Sequence, residues 1–348
     1  MSNKAVNLKE LALHLGLSQT TVSRALNGFP EVSERTRQRV QEVAAELNYR
    51  PSLSATSLAT GKTKVIGHVV QVSQHRMINP HFSDFLAGAS ETYAAAGYDM
   101  LLRAAAPEDE AGLYRDFASR KRVDAVVVHG PMVDEPRIEL LKNLRLPFLV
   151  HGRCGRDIRD YAFLDVNNKT AFETLTNHLI ELGHRRIALI NGLETMNFAQ
   201  RRRAGFEAAL RTHGLTVDPE LMFSADMTEP YGHTVAGKML DSTNPPTAIM
   251  CSSILSAIGV QRAISERGLT LGSDISIATY DDLLSFLMPS DGEEIAPFMT
   301  SMQSSIQAAG RRAAEILLNQ INDPETPVVQ EVWNAKFIKG RTTGRPVR

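Results

Sequence analysis

Apolar positions in the first fifty residues repeat with the period of a helix. Leu8, Leu11, Ala12 and Leu15 fall at i, i+3, i+4 and i+7, on one face. Gly16 ends that run as a residue tolerant of the left-handed backbone, and Ser18 is a good N-cap for a second helix. Val22, Ala25 and Leu26 point inward on this helix, and Asn27-Gly28 stops it. Ser33 caps a third helix with the inner stripe Val40, Val43, Ala44 and Leu47. Tyr49-Arg50-Pro51 closes it, because the residue before a proline avoids the helical region. The next stretch, PSLSATSLATGKTK (51–64), is small and polar. It reads as a linker of marginal helical potential.

From residue 65 the pattern changes to short β-rich runs: VIGHVV (65–70), YDMLL (98–102), VDAVVV (123–128), PFLV (147–150), RIALI (186–190), TAIMC (247–251) and ISIAT (275–279). Helix-like stretches such as FSDFLAGASETYAAAG and NKTAFETLTNHLIELG lie between them. Strands alternating with helices predict parallel sheets built from βαβ units. The number of strands suits two similar α/β lobes better than one sheet. Ligands in such folds sit at the carboxyl ends of strands, in crevices.

Composition narrows this picture by exclusion. With 43% hydrophobic and 22% charged residues over 348 positions, the chain is long enough for a sizeable core. No apolar run approaches the ~18 residues of a membrane helix. The start, MSNKAVNLKE, lacks the apolar stretch of a signal peptide, and two cysteines make no disulfide framework. A cytoplasmic protein with no membrane contact is the expectation. There is no GxSxG, P-loop, HExxH or strand-following GxGxxG, and the ten histidines show no metal-ligand spacing. Enzymatic activity, a metal and a cofactor are therefore not expected.

The formal net charge of −1 conceals an asymmetry. Residues 1–64 hold nine Lys+Arg and five Asp+Glu, net +4, whereas residues 65–348 hold 29 against 34, net −5. A basic head on an acidic body fits a nucleic-acid-binding head. LKELALHLG followed by LSQTTVSRAL has the spacing of a helix-turn-helix, whose second helix enters the major groove. With Val22 and Leu26 inward, Gln19, Thr20, Ser23 and Arg24 share the exposed side. Arg24 suits a bidentate contact to guanine, and Gln19 and Thr20 suit adenine or a thymine methyl. Thr21, Ser23, Asn27, Thr36 and Arg37 are candidates for phosphate contacts. A solvated helical hairpin with ordinary polar residues fits the same segment when it is taken alone.

The run LKELALHLGLSQTTVSRALNG, then VSERTRQRV, then ELNYRPSLSATSL, closely resembles the DNA-binding head of the lac/gal repressor family. The body carries the resemblance on through NPHFSDFLAGASETYAAAGYDM, KRVDAVVVHG, ELGHRRIALING, RRRAGFEAAL and SIATYDD, about 340 residues in all. The resemblance implies a helix-turn-helix head (1–50), a hinge helix (51–63), and a periplasmic-binding-protein-like core of two doubly wound lobes (64–343). The N-lobe is expected at about 64–163 and 293–325, and the C-lobe at about 164–292 and 326–343, with three crossings between them. In the hinge, Leu58 matches the leucine that such repressors wedge into the minor groove, with Ala55 beside it. Thr56 stands where relatives often carry arginine, which puts one basic contact in doubt.

The resemblance also implies an effector cleft. His81 and Phe82 match a ligand-facing pair, His129 a polar contact at a strand end, and Arg153 an arginine of sugar-responsive members. Phe198 and Arg202 lie in TMNFAQRRRAGF, where the arginine matches the family's ligand-binding one, and Asp281 matches an acidic contact. Arginines and a carboxylate grip vicinal hydroxyls while an aromatic face covers the sugar ring. Each residue also has a plainer role: Phe82 and Phe198 as core, Arg201–Arg203 as a solvated face, the histidines as structural, Asp281 as a turn cap. CSSILSAIG departs from the family, with Ser252 and Ser253 in place of an Asn-Asp pair, so Ser252 is the expected effector contact there, with a shorter reach. That stretch and HGR are similar to those of repressors of α-glucoside utilisation.

The expected function is a homodimeric repressor of sugar-utilisation genes, released from a palindromic operator by a small carbohydrate, either a sugar or a disaccharide. The competing class is a sugar-binding transport protein without a DNA role. The basic head and the missing signal peptide count against it.

Overall fold

The computed structural model describes residues 6–49, 60–71, 80–106, 108–155, 160–281, 283–287 and 297–347. Ala55 and Leu58, the hinge candidates, lie outside them.

The head is three helices: α1 (Leu8–Leu15), α2 (Gln19–Leu26) and α3 (Glu34–Glu46). Asn7 and Glu10 form a capping box on α1, and Gly16 ends it at φ 66°. Ser18 and Ser33 accept the backbone N–H of Thr21 and Thr36. Capping of this kind contributes about 1 kcal/mol per helix. Leu11, Ala12, Leu15, Val22, Ala25, Val32, Val40 and Ala44 make one small core.

The body contains two six-stranded sheets. The first takes β1 (Val65–Gln71), β2 (Asp99–Ala105), β3 (Ala125–His129), β4 (Phe148–His151), β5 (Ala162–Val166) and β11 (Gln330–Trp333), in the order β11-β5-β4-β3-β1-β2, all parallel. Around it lie α4 (Pro80–Ala95), α5 (Glu110–Ser119) and α6 (Pro136–Asn143). The second takes β6 (Ile187–Asn191), β7 (Met222–Ser224), β8 (Ala248–Cys251), β9 (Ser276–Asp281), β10 (Thr300–Gln303) and an antiparallel edge, β12 (Lys336–Ile338), in the order β12-β10-β9-β8-β6-β7. Its helices are α7 (Asn168–Glu181), α8 (Asn197–Thr212), α9 (Glu229–Leu240) and α10 (Ile254–Glu266). The last helix, α11 (Ile306–Asn322), returns to the first lobe, where Ala309, Ala313 and Leu317 share a core with Phe85, Val127 and Leu149.

Three expected lobe boundaries require correction. Residues 300–303, expected in the N-lobe, pair with β9 of the second sheet. Residues 330–333, expected in the C-lobe, extend the first sheet beside β5, and the first crossing comes after Val166 rather than at 163. Each crossing comes just after a strand, so the helix-strand alternation that locates elements does not reveal which sheet a short strand joins. Three crossings result: between β5 and α7, between β10 and α11, and between β11 and β12.

Candidate functional site

Two sites emerge, on the head and between the lobes. On α2, Val22 and Ala25 are buried, which turns Gln19, Thr20 and Arg24 outward, all exposed. These side chains are free to meet base edges in a major groove. Thr21 and Thr36 share their hydroxyls with the capping Ser18 and Ser33 at 2.8 Å. Ser23 is half-buried, and its carbonyl accepts the Asn27 side chain at 2.8 Å. Arg37 differs from expectation. Its guanidinium pairs with Glu34 at 2.7 Å and donates to the carbonyls of Phe29 and Val32. It pins the 29–32 loop to α3 and is not directed outward as a phosphate contact.

Between the lobes lies a cavity of about 690 Å³. The carboxyl ends of β3 and β4 deliver His129, His151 and Arg153 to it; the first turn of α4 adds His81 and Phe82. From the second lobe come Phe198 and Arg202 of α8 and Tyr280 of β9. These walls converge because parallel strands end together, and a helix start lies at the same edge.

The centre of the first wall is aromatic. His68 Nδ1 lies 3.0 Å from His129 Nε2, the Phe85 ring stacks on His151 at 4.3 Å, and Phe82 meets His129 edge-on at 4.9 Å. Burial pushes His68 down to about 3. Burial lowers His129 well below the ordinary imidazole range too, helped by the neighbouring His68, His151 and Arg137. Both rings are thus neutral, each with one donor and one acceptor. No group of three or more His, Cys, Asp or Glu among the described residues is placed to hold a metal ion.

The second wall is cationic and already bonded. Arg202 is 6% exposed. Its Nε donates to Asn168 Oδ1 at 2.8 Å, its NH1 donates to the Ser252 carbonyl, and its guanidinium lies 4.0 Å over the Tyr280 ring and 4.9 Å from that of Phe198. At the join, Arg153 pairs with Asp165 at 2.7 Å. Burial raises the Asp165 pKa, and Arg153 and Arg201 oppose the rise. Arg137, also in the cavity wall, is held by Glu135 and Glu110 at 2.6 and 3.1 Å and donates to the carbonyls of His129 and Gly130.

Ser252 and Asp281 do not line the cavity. Ser252 is fully buried behind it, its hydroxyl on Asn191 Oδ1 at 2.6 Å. The Asp281 carboxylate accepts the Leu283 N–H at 2.9 Å and Gln303 Nε2 at 3.0 Å, the turn-capping role. Residues that the sequence alone did not single out are His151, Asp165, Asn168, Tyr280, Trp333 and Arg137 in the wall, with His68 behind it.

The lobes are fastened on both flanks of the cleft. Val133 N–H donates to the Thr195 carbonyl at 3.2 Å and Asn197 N–H to the Pro131 carbonyl at 3.1 Å, so Met132 and Met196 form a β-bridge between lobes. Asn197 Nδ2 adds a bond to the Arg153 carbonyl at 2.6 Å. Opposite, the Asp84 carboxylate accepts both the N–H and the hydroxyl of Ser285 at 2.6 Å.

A helix-turn-helix head tethered to two hinged lobes around a small-molecule cavity defines a ligand-responsive DNA-binding regulator. Comparison with known proteins gives the family. Residues 7–52 match the bacterial regulatory proteins of the lacI family, and residues 63–340 match the periplasmic binding proteins and sugar binding domain of the LacI family. The chain belongs to the LacI family of transcriptional regulators. It is 45% identical over 343 residues to the HTH-type transcriptional regulator AglR of Rhizobium meliloti (strain 1021), covering 97% of this chain and 94% of AglR. A structure of the transcriptional regulator CelR–cellobiose complex is similar at TM-score 0.70 and 25% identity, over 97% of this chain and 99% of that one. The lac repressor dimer bound to operator and an anti-inducer shares the fold at TM-score 0.81 and 24% identity, over 98% and 100% of the two chains. No helix among the described residues is long and apolar enough to cross a membrane.

Proposed function

We propose that this protein is a cytoplasmic, homodimeric transcriptional repressor that releases a palindromic operator when an uncharged sugar or disaccharide enters the cleft. The cavity carries this reading. It has the size of a small-ligand site, aromatic faces for a sugar ring, and a neutral imidazole, His129, for a hydroxyl. Its arginines are engaged within the protein: Arg153 by Asp165, Arg137 by Glu135 and Glu110, Arg202 by Asn168 and the Ser252 carbonyl. A sugar phosphate or uronate would have to compete with Asp165, Glu135 and Glu110 for Arg153 and Arg137. A hydroxyl can join them, because carboxylates and carbonyls accept more than one bond. Cellobiose in the CelR complex is a ligand of this chemistry. Gln19, Thr20 and Arg24 read bases, and Thr21, Ser23, Asn27 and Thr36 lie where phosphates pass. Two heads on one palindrome require two chains. His81, Phe82, His129, Arg153, Phe198 and Arg202 bind the effector.

A thermal-shift panel of neutral mono- and disaccharides beside the matching phosphates and uronates tests this reading, each compound then being added to the operator complex. A neutral sugar should raise Tm by mass action and release the DNA. Stabilisation by the charged members alone would refute it.

A further inference from the structure

Five described residues other than glycine have positive φ, and three of them are basic: Lys64 (φ 58°), Lys121 (φ 46°) and Arg145 (φ 52°). Lys64 immediately precedes β1, and Lys121 and Arg145 sit in the turns that feed β3 and β4. These strands are adjacent and parallel, so the three residues share the amino-terminal end of the first sheet, opposite the cleft.

The left-handed conformation is disfavoured for any residue with a Cβ. It is demanded here by the way the helices end. After α5, Arg122 N–H returns to the Phe117 carbonyl at 3.0 Å; after α6, Leu146 N–H returns to that of Leu141 at 3.1 Å. The same closing bond follows α4, α7, α8 and α10, from Tyr98, His184, Leu215 and Leu269. There the left-handed residue is Gly97, Gly183, Gly214 and Gly268. Glycine is thus this chain's usual solution; it is set aside after α3 at Asn48, a residue type that tolerates this backbone, and at the two helix ends that carry Lys121 and Arg145, which do not. Strain kept where relief is a single substitution away marks a side chain that is needed.

Lys121 and Arg145 are exposed and border one shallow hollow with Gly61 and Lys62. Neither makes an ion pair with a described residue. Asp124, in the same hollow, is occupied by the N–H groups of Thr63 and Lys64 and the Thr63 hydroxyl. Nearby Asp116 is taken by Arg120 and Arg122. A local cationic spot thus stands on a body whose residues 65–348 are net −5. It lies where the chain to the head leaves the lobe. From Tyr49 to Thr60 the chain spans at most about 40 Å fully extended, which tethers the DNA-holding head to this end of the lobe rather than to the cleft.

We propose that Lys121 and Arg145 form a second phosphate-contacting surface, by which the first lobe itself touches the DNA that the head reads. This rests on the DNA-binding reading above. The test is the double variant Lys121→Gly with Arg145→Gly, which removes both charges and both strained side chains. Its Tm should equal or exceed that of the wild type. Its plot of log affinity against log salt should be shallower by about 3.6 for the homodimer, at about 0.9 for each of four phosphate contacts. At low salt its affinity should fall about tenfold on operator and non-operator duplex alike, because phosphate contacts carry no sequence information. A wild-type salt slope in the glycine variant, with wild-type protein binding operator, overturns this surface alone. Failure of the wild-type protein to bind any duplex overturns the DNA-binding reading beneath it.

Discussion

The head and the cleft prepare for their ligands in opposite ways. Gln19, Thr20 and Arg24 stand in water with no partner fixed in advance, on a helix held by two caps and a small core. Arg202, Arg153 and His129 are bonded before any ligand arrives. The difference follows from the ligands. DNA brings a dense row of charges, and counterion release drives binding even when side chains must order on contact. The uncharged sugar proposed for the cleft brings hydroxyls that water satisfies equally well, so the protein gains only by holding its donors and acceptors in place beforehand.

The sharpest way to break this contrast is Arg202→Ala. Asn168 Oδ1 and the Ser252 carbonyl would lose a charged donor in a buried setting, costing about 3 kcal/mol of stability. Operator affinity should stay near wild type while release by effector disappears; a normal release titration would remove Arg202 from the binding site. On the head, Arg24→Ala should weaken operator binding by about 1–3 kcal/mol and relax one base position, with sugar binding unchanged. Unchanged operator binding would reject α2 as the reading helix.

Acid should separate the two regions further. His68 is pushed down to about 3 and His129 in the same direction, so both are neutral in the folded chain. Their stabilising contribution is intact above the ordinary histidine pKa of about 6.5 and shrinks as the pH falls below it. For His68 it is gone by about pH 3. At pH 5 one such histidine has lost about 2 kcal/mol. Tm of the lobes should drop between pH 7 and 5, and His68→Leu should blunt the drop; a pH-flat melt would show the rings to be solvated. The smallest effect is Ser18→Ala, which should destabilise the head by about 1 kcal/mol and leave sugar-induced stabilisation of the lobes untouched.

The same contrast explains what could be read in advance. On the head, helical periodicity alone separates Val22 and Ala25 from Gln19, Thr20 and Arg24, because an eight-residue helix has only two faces. The alternation of strands and helices likewise discloses two lobes. The cleft is assembled from seven or more segments far apart in the chain. A strand-end position places a residue near it but does not say which neighbour it meets. Asp281 ends its strand as expected, yet Gln303 on the adjacent strand and the Leu283 N–H take its carboxylate. Ser252 follows β8, but the Asn191 side chain draws its hydroxyl inward. Asp165 and Tyr280 give no local signal, since their roles exist only once Arg153 and Arg202 arrive from elsewhere. Arg37 fails for the same reason on a smaller scale: Glu34 is one turn away, but the carbonyls of Phe29 and Val32 come from a loop.

The clasp between Pro131–Val133 and Thr195–Asn197 joins the lobes through main-chain atoms. An alanine scan would leave those two backbone bonds intact and would report only the loss of the Asn197 side-chain bond to the Arg153 carbonyl. Only proline removes such a donor, so Val133→Pro is the change that exposes the joint. Over evolutionary time, the residues that choose a sugar can therefore drift while the geometry of closure is inherited unchanged. A lineage of such regulators can change diet without relearning how to shut.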